Sequence, residues 1–248
     1  MFPRRSSSRI LLATFAVVGL VRLIAIPLSP MLALVCSALA VPLLAETLWV
    51  STDRPRSHLT RWWLAAMVPL LALDLSATLL DGEPRLLATS LTLVLVGLGQ
   101  VVALWPHREH SAFAEERGWL FLYAAGIALV AFAATSPIGV IAGSQLAIPV
   151  ILASVSVAAA GLLATALGPK GTGGAILSFL AVLVILISGA LGTLSPAASI
   201  GAVVLGFTGQ ILILVAILER ETREADERRV SLLTHHEWDG LTPAATTP

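Results

Sequence analysis

The segment Arg4-Arg5-Ser6-Ser7-Ser8-Arg9, ILLATFAVVGLVRLIAIPL (10–28), Ser29-Pro30, MLALVCSALAVPLLAETLWV (31–50) and Ser51-Thr52-Asp53-Arg54-Pro55-Arg56 sets the pattern for the whole chain. Two apolar runs of about 20 residues meet at a Ser-Pro link, and each is long enough to cross a hydrocarbon layer of roughly 30 Å. Arginines stand at both open ends of the pair and none stands at the link. That reads as a helical hairpin anchored from one side of a membrane.

The same block recurs at 62–80, 86–105, 119–135, 146–167, 175–194 and 199–218, giving eight candidate spans. If the spans alternate in direction, one side receives Arg4, Arg5, Arg9, Arg54, Arg56, Arg61, Arg108, Arg117, Lys170, Arg220, Arg223, Arg228 and Arg229. The other side receives Arg85 alone. Cytoplasmic connections carry the excess of Lys and Arg, so both termini are expected in the cytoplasm and the expected address is the cell membrane. The fold class expected is an all-α polytopic bundle. It divides into a cytoplasmic N-terminus (1–9), an eight-span domain (10–218), and a cytoplasmic charged helix with a disordered tail (219–248).

Composition agrees. At 57% hydrophobic and 12% charged residues, the chain has too little polar material to cover a soluble globule of this size. The net charge of zero is a cancellation between basic connections and acidic residues such as Asp81 and Glu83, and gives no reason to expect a nucleic-acid partner. The single cysteine, Cys36, excludes an intrachain disulfide. The first run contains Arg22 and leads straight into the second without a small-residue cleavage site, so it is read as a retained helix rather than a signal peptide.

Short links, at 51–61, 81–85, 106–118, 136–145, 168–174 and Ser195-Pro196, make successive helices antiparallel neighbours. Small residues crowd the later spans, as in Ala158-Ala159-Ala160-Gly161 and at Gly201, Gly206 and Gly209, where they allow close helix approach. Trp62, Trp63, Trp105 and Trp119 fall at cytoplasmic ends, where an indole prefers the interface. Beyond Leu218 the charges alternate at helical spacing, with Glu224 and Arg228 a natural pair. The tail from 241 to 248 has the composition of a disordered segment.

An ionisable side chain inside a span costs a few kcal/mol unless it has a partner or a job. Three such residues stand out: Arg22, Glu46 and Asp74. Arg22 and Asp74 each lie about 12 residues from the cytoplasmic start of their spans, a depth of ~18 Å, so they are natural counter-ions. Glu46 sits nearer the cytoplasmic end of its span, within reach of water. Gln100, Gln145 and Gln210 are the strongest neutral hydrogen-bonding groups in or near the spans, with interhelical bonding as their default role. Tyr123 reads as an interfacial anchor. His107 with His110, and His235-His236 with Glu237 and Asp239, lack the spacing of a metal site, and no cofactor motif is present.

Four stretches resemble the YhhN/TMEM86 (lysoplasmalogenase-like) family. Ala40-Val41-Pro42-Leu43-Leu44 is similar to its second-span Pro-Leu-Leu segment. Leu70-Leu71-Ala72-Leu73-Asp74 resembles its third-span Gly-Asp motif, with Leu73 in place of Gly. Gly174-Ala175-Ile176-Leu177 and Gly206-Phe207-Thr208-Gly209-Gln210-Ile211-Leu212-Ile213 resemble segments of the seventh and last spans. The resemblance implies eight spans and hydrolysis of the vinyl ether of a lysoplasmalogen or a related lipid. The acid that protonates the alkene would be Asp74, Glu46 or Gln100 would hold water, and Arg22 and Gln210 would line the substrate pocket. A carboxyl group in low-dielectric surroundings keeps its proton because its charged form loses hydration, which suits a general acid. The family's Ser-Asp of the seventh span falls near 178–182, where this chain has no carboxylate, and Gln100 stands near the family's fourth-span His.

Other classes compete. Asp239-Gly240-Leu241-Thr242, at the end of the charged helix, resembles the Asp-x-Leu-Thr entry of diguanylate cyclase domains. That favours a non-catalytic sensor or interaction subunit signalling through the C-terminal helix. Gly and Pro around 138–149 suit a small transporter with a re-entrant element. A membrane lipid is the partner expected in the enzymatic reading, and the sequence leaves the oligomeric state open.

Overall fold

The computed structural model describes residues 6–52, 55–80, 82–115, 147–190 and 196–239, and among them every regular element is a helix. The long helices are α1 (Ser6–Leu28), α2 (Pro30–Ser51), α3 (His58–Leu79), α4 (Gly82–Leu104), α6 (Ala147–Ala164), α7 (Pro169–Ala190) and α8 (Pro196–Asp239). A one-turn α5 (Ala112–Glu115) follows a 3₁₀ segment, Trp105–His110. The run 119–135, with Trp119 and Tyr123, lies outside the described residues, as do Gln145 and the tail.

Local chemistry sets the ends. Ser29 is extended, its hydroxyl accepts from the Leu32 amide at 3.4 Å, and Pro30 opens α2, so the first hairpin turns within two residues. Ser57 caps α3 by accepting from the Thr60 amide at 3.1 Å. Between α6 and α7 the chain reverses at Gly168, with φ 82° and ψ −167°. That region is essentially closed to residues with a Cβ. The link read at 168–174 is therefore shorter than the sequence suggests: Pro169 starts α7, and Gly171, Gly173 and Gly174 are helical.

The described long helices form a ring in chain order. α1 packs on α2, α2 on α3, α3 on α4, α4 on α6, α6 on α7, and α7 on α8, which closes the ring against α1. Glycines set the closest approaches. Gly97 and Gly99 are two residues apart and so face opposite sides of α4. A Cβ at Gly97 would come within 2.7 Å of Ser156 on α6, and one at Gly99 within 2.8 Å of Ala66 on α3.

Large apolar side chains stand on the outside as well as in the core, and many interior positions are alanine. The buried positions include Ala25, Ala40, Ala103, Ala153, Ala158 and Ala181, whereas Val17, Leu20, Ile24, Leu95, Leu98, Leu152 and Ile176 are exposed. A helix apolar on its outer as well as its inner face suits lipid, where close approach comes from small side chains. Among the described residues five segments are long and apolar enough to cross a membrane: Arg9–Leu28, Met31–Ser51, Pro84–His110, Ile148–Leu167 and Ala197–Glu227. A shorter apolar stretch covers Pro169–Ile185. Buried hydroxyls mostly satisfy themselves within their own helix, as Thr47 does on the Leu43 carbonyl at 2.7 Å and Ser154 on that of Val150 at 2.9 Å.

The tryptophans divide. Trp62 and Trp105 are exposed, as an interfacial anchor should be, but Trp63 is buried in the core. One residue is a rotation of about 100° on a helix, which carries adjacent indoles to opposite fates.

Candidate functional site: a chamber inside the helix ring

The ring is filled at one end and hollow toward the other. Phe15, Leu44, Leu48, Trp63, Leu104, Leu163, Ile213 and Ile217 belong to a continuous core at the end where α2 finishes and α3 begins. Above it lies a cavity of ≈ 380 Å³ to which all seven long helices contribute. The volume falls within the roughly 300–1,000 Å³ usual for small-molecule sites. Its floor is Phe15, Val41 and Leu44, shared with the core, and its walls include Ile26, Leu70, Leu73, Val96 and Ile185.

Among the described lining residues, polar groups are few and placed at two levels. Near the floor, Gln100 of α4 and Gln210 of α8 line the cavity, and Gln210 Nε2 lies 3.5 Å from Ser178 Oγ of α7. Toward the other end are Arg22 of α1, Arg85 in the first turn of α4, Ser37 of α2 and Ser199 of α8. The Arg22 guanidinium sits over the Phe207 ring, 5.4 Å from its centroid, and Phe207 in turn meets Phe15 at 4.9 Å with the rings tilted by 57°. Ser37 is fully buried, and its hydroxyl has no hydrogen-bond partner.

Three of the residues singled out in the sequence, Arg22, Gln100 and Gln210, therefore come to one chamber. Glu46 does not join them: it is exposed on α2, although Leu44 two positions earlier faces the cavity. Position 74 lies one turn after Leu70 on the α3 helix, and the Asp74 side chain is outside the described residues, as therefore is its pairing with Arg22. Arg85, Ser37 and Ser178 are additional lining residues. Arg85 was hidden by its place in a short connection, and a serine in an apolar run carries no signal of its own. Ser178 stands where the resemblance placed a Ser-Asp pair.

At the opposite end, α8 leaves the bundle under a polar clamp. Glu221 accepts hydrogen bonds from Ser57 and from Thr60, the latter at 2.8 Å. Lys170 pairs with Glu219, and Arg220 donates to the Ala166 carbonyl and to Glu224, each at 3.0 Å. Glu224 thus engages Arg220, four residues before it, while the side chain of its expected partner Arg228 lies outside the described residues. Among the described residues no group of three or more His, Cys, Asp or Glu is arranged to hold a metal.

Among the described residues, ring and chamber define a class: an all-α, multi-pass membrane protein with a partly open cavity between its helices. No family model matches the chain, and no curated protein or solved structure matches it either.

Proposed function

We propose that the chain is an eight-span protein of the cell membrane, with both termini in the cytoplasm, whose chamber binds a single-chain amphipathic lipid and whose last helix conveys occupancy to the cytoplasm. One observation carries the reading: α8 lines the chamber with Phe207 and Gln210 and then continues unbroken to Asp239. At ~1.5 Å per residue, its 44 residues make one rigid element of about 66 Å. A ligand pressing on Phe207 shifts the same rod that Ser57, Thr60 and Lys170 grip at its exit. Such a rod biases a partner only if the ligand binds its two positions unequally. The fused or separate partner would meet α8 near Asp239-Gly240-Leu241-Thr242. In a spin-label measurement, the distance from α8 beyond residue 224 to the start of α3 is expected to change when lipid is added. An unchanged distance with lipid bound would remove the signalling part.

The topology rests on the charge segregation. Reporter fusions after Arg85 and after Pro248 are expected to report opposite sides of the membrane, and agreement between them would overturn the span count.

A second reading, favoured by the place of position 74 one turn from a lining residue, is YhhN-like hydrolysis of a lysoplasmalogen. The Asp74 carboxyl protonates the alkene carbon distal to the ether oxygen, water adds to the oxocarbenium carbon and returns its proton to the Asp74 carboxylate, and the hemiacetal collapses to an aldehyde and a free glycerol hydroxyl. Gln100 is the group near the floor able to hold that water, and Glu46, exposed on α2, is not placed for it. Purified protein given lysoplasmalogen is expected to release aldehyde, with Asp74→Asn reducing the rate by about 10²-fold or more, the scale of a lost general acid. Folded wild type that releases none leaves the binding reading alone; undiminished activity in Asp74→Asn would refute the assignment.

A further inference from the structure

We infer that the chamber selects a single-chain lipid whose chain carries a hydroxyl group, which Gln100 and Gln210 receive near the floor while Ser37 receives the linkage between chain and head. The inference rests on the chamber being a lipid site and adds what the chain must carry. A plain hydrocarbon chain needs apolar contacts along its whole length, and the walls supply them at Leu70, Leu73, Val96 and Ile185. The deep end supplies something else. There Gln100 of α4 and Gln210 of α8 line the cavity, with Ser178 of α7 beside Gln210. In the ring α4 stands across from α8, and it also touches α7, so the two amides reach the deep end from different sides. Among the described residues Gln100 makes no hydrogen bond, and the one made by Gln210, to Ser178 at 3.5 Å, is longer than the roughly 2.7–3.2 Å usual for such a bond. An amide that faces the methylenes of a plain chain loses its hydration with nothing in return, which weakens the binding of that chain. A hydroxyl donates and accepts, as a carboxamide does, so one hydroxyl can meet both side chains.

Ser37 is the independent observation. Its side chain is fully buried, and its hydroxyl has no hydrogen-bond partner, a state that ordinarily costs free energy. Thr89 and Ser90 share that state, but of the three only Ser37 lines the chamber. Thr47 and Ser154, by contrast, bond back to carbonyls of their own helices. On α2, Ser37 stands seven residues before Leu44 of the floor, a rise of ~10 Å. An ester or ether oxygen at the level of Ser37 accepts from its hydroxyl. The chain below that oxygen then reaches the two amides at its middle rather than at its tip, which puts the hydroxyl of the ligand in mid-chain. Between the two polar levels the contacts are apolar, through Ala40 and Val41 of the same helix.

The test uses the full chain purified in a neutral maltoside detergent. Three lysophosphatidylcholines are compared by equilibrium binding: one with an oleoyl chain, one with the ricinoleoyl chain, which adds a mid-chain hydroxyl, and one with a methyl branch in place of that hydroxyl. The ricinoleoyl lipid is expected to bind about tenfold more tightly than the other two, the scale of buried amides left unpaired by a plain chain. The methyl branch has nearly the size of the hydroxyl and none of its polarity, so wild type alone separates hydrogen bonding from shape. Gln100→Leu and Gln210→Leu are each expected to shrink the hydroxyl preference and to bind the oleoyl lipid more tightly than wild type does, since leucine replaces an amide that the plain chain leaves unpaired. Ser37→Ala is expected to weaken all three lipids alike, by a few-fold, because they share the ester. Equal affinity of wild type for the three lipids, a branched chain that matches the ricinoleoyl one, or a hydroxyl preference that survives both leucine variants would overturn the inference and leave the lipid site standing. Failure of every lipid to bind would overturn the site itself.

Discussion

Gly209→Ala is expected to lower the apparent thermal midpoint of the purified chain by roughly 2–12 °C, while Gly201→Ala on the same helix leaves it unchanged or slightly raised. The reason is the contact between α7 and α8, the most extensive among the described helices. A Cβ at Gly209 would lie 2.7 Å from the Gly174 carbonyl and 2.8 Å from the Ser178 amide, and a Cβ at Gly174 would lie 2.7 Å from the Gly209 carbonyl. These are backbone atoms of the facing helix, which cannot rotate away, so the helices must separate. Overpacking of this kind costs about 1–3 kcal/mol, and each kcal/mol moves the midpoint by about 2–4 °C in a chain of this length. At Gly201 nothing lies within 4 Å of the added carbon, and alanine is the better helix former. Tryptophan fluorescence during heating in detergent separates the two variants. Equal midpoints would mean that α7 and α8 do not meet at these glycines.

Gly206→Phe is expected to abolish lipid binding with the fold retained. Gly206 lines the chamber, and the nearest atom to an added Cβ is the Ala181 Cβ at 3.6 Å, an ordinary contact. The backbone therefore accepts a side chain at this position, and the space for the remainder of the ring is the cavity itself. A phenyl group placed there enters the space that an acyl chain would need. Binding of a single-chain lipid such as an oleoyl lysophospholipid should weaken by about 10²-fold or more, since an apolar chain that cannot enter loses roughly 0.8 kcal/mol for every methylene left in water. A midpoint close to that of wild type shows that the loss is local. Unchanged affinity in a folded variant would place the lipid elsewhere.

Helix positions were legible because they are written in blocks of about 20 residues, and block length is robust to a few misplaced residues. The runs 10–28, 31–50, 62–80 and 86–105 coincide with α1 to α4 to within four residues at each end. The interior of the ring was harder to read, because it depends on how each helix is rotated. Glu46 and Leu44 are two positions apart, about 200° around α2, and hydropathy says nothing about which of them faces the centre. Leu44 does, and Glu46 is exposed. The same ambiguity separates Trp62 from Trp63. Arg22, Gln100 and Gln210 were visible as polar exceptions in apolar spans, and all three reach the chamber. Arg85 was counted as a loop cation because the sequence does not show that α4 begins at Gly82 and brings it inside the ring. Gly168 was legible as a turn but not as the end of a link, since Pro169 reads equally well as a helix breaker or as a first-turn residue.

Native mass spectrometry of the chain released from its own membranes asks most directly whether the chamber is a lipid site. One tightly held molecule per chain is expected, with the mass of a single-chain amphiphile, surviving collisional activation that strips peripheral two-chain lipids, and missing from Gly206→Phe. A wild-type chain that emerges bare, or one whose bound molecule persists undiminished in Gly206→Phe, would contradict the proposal.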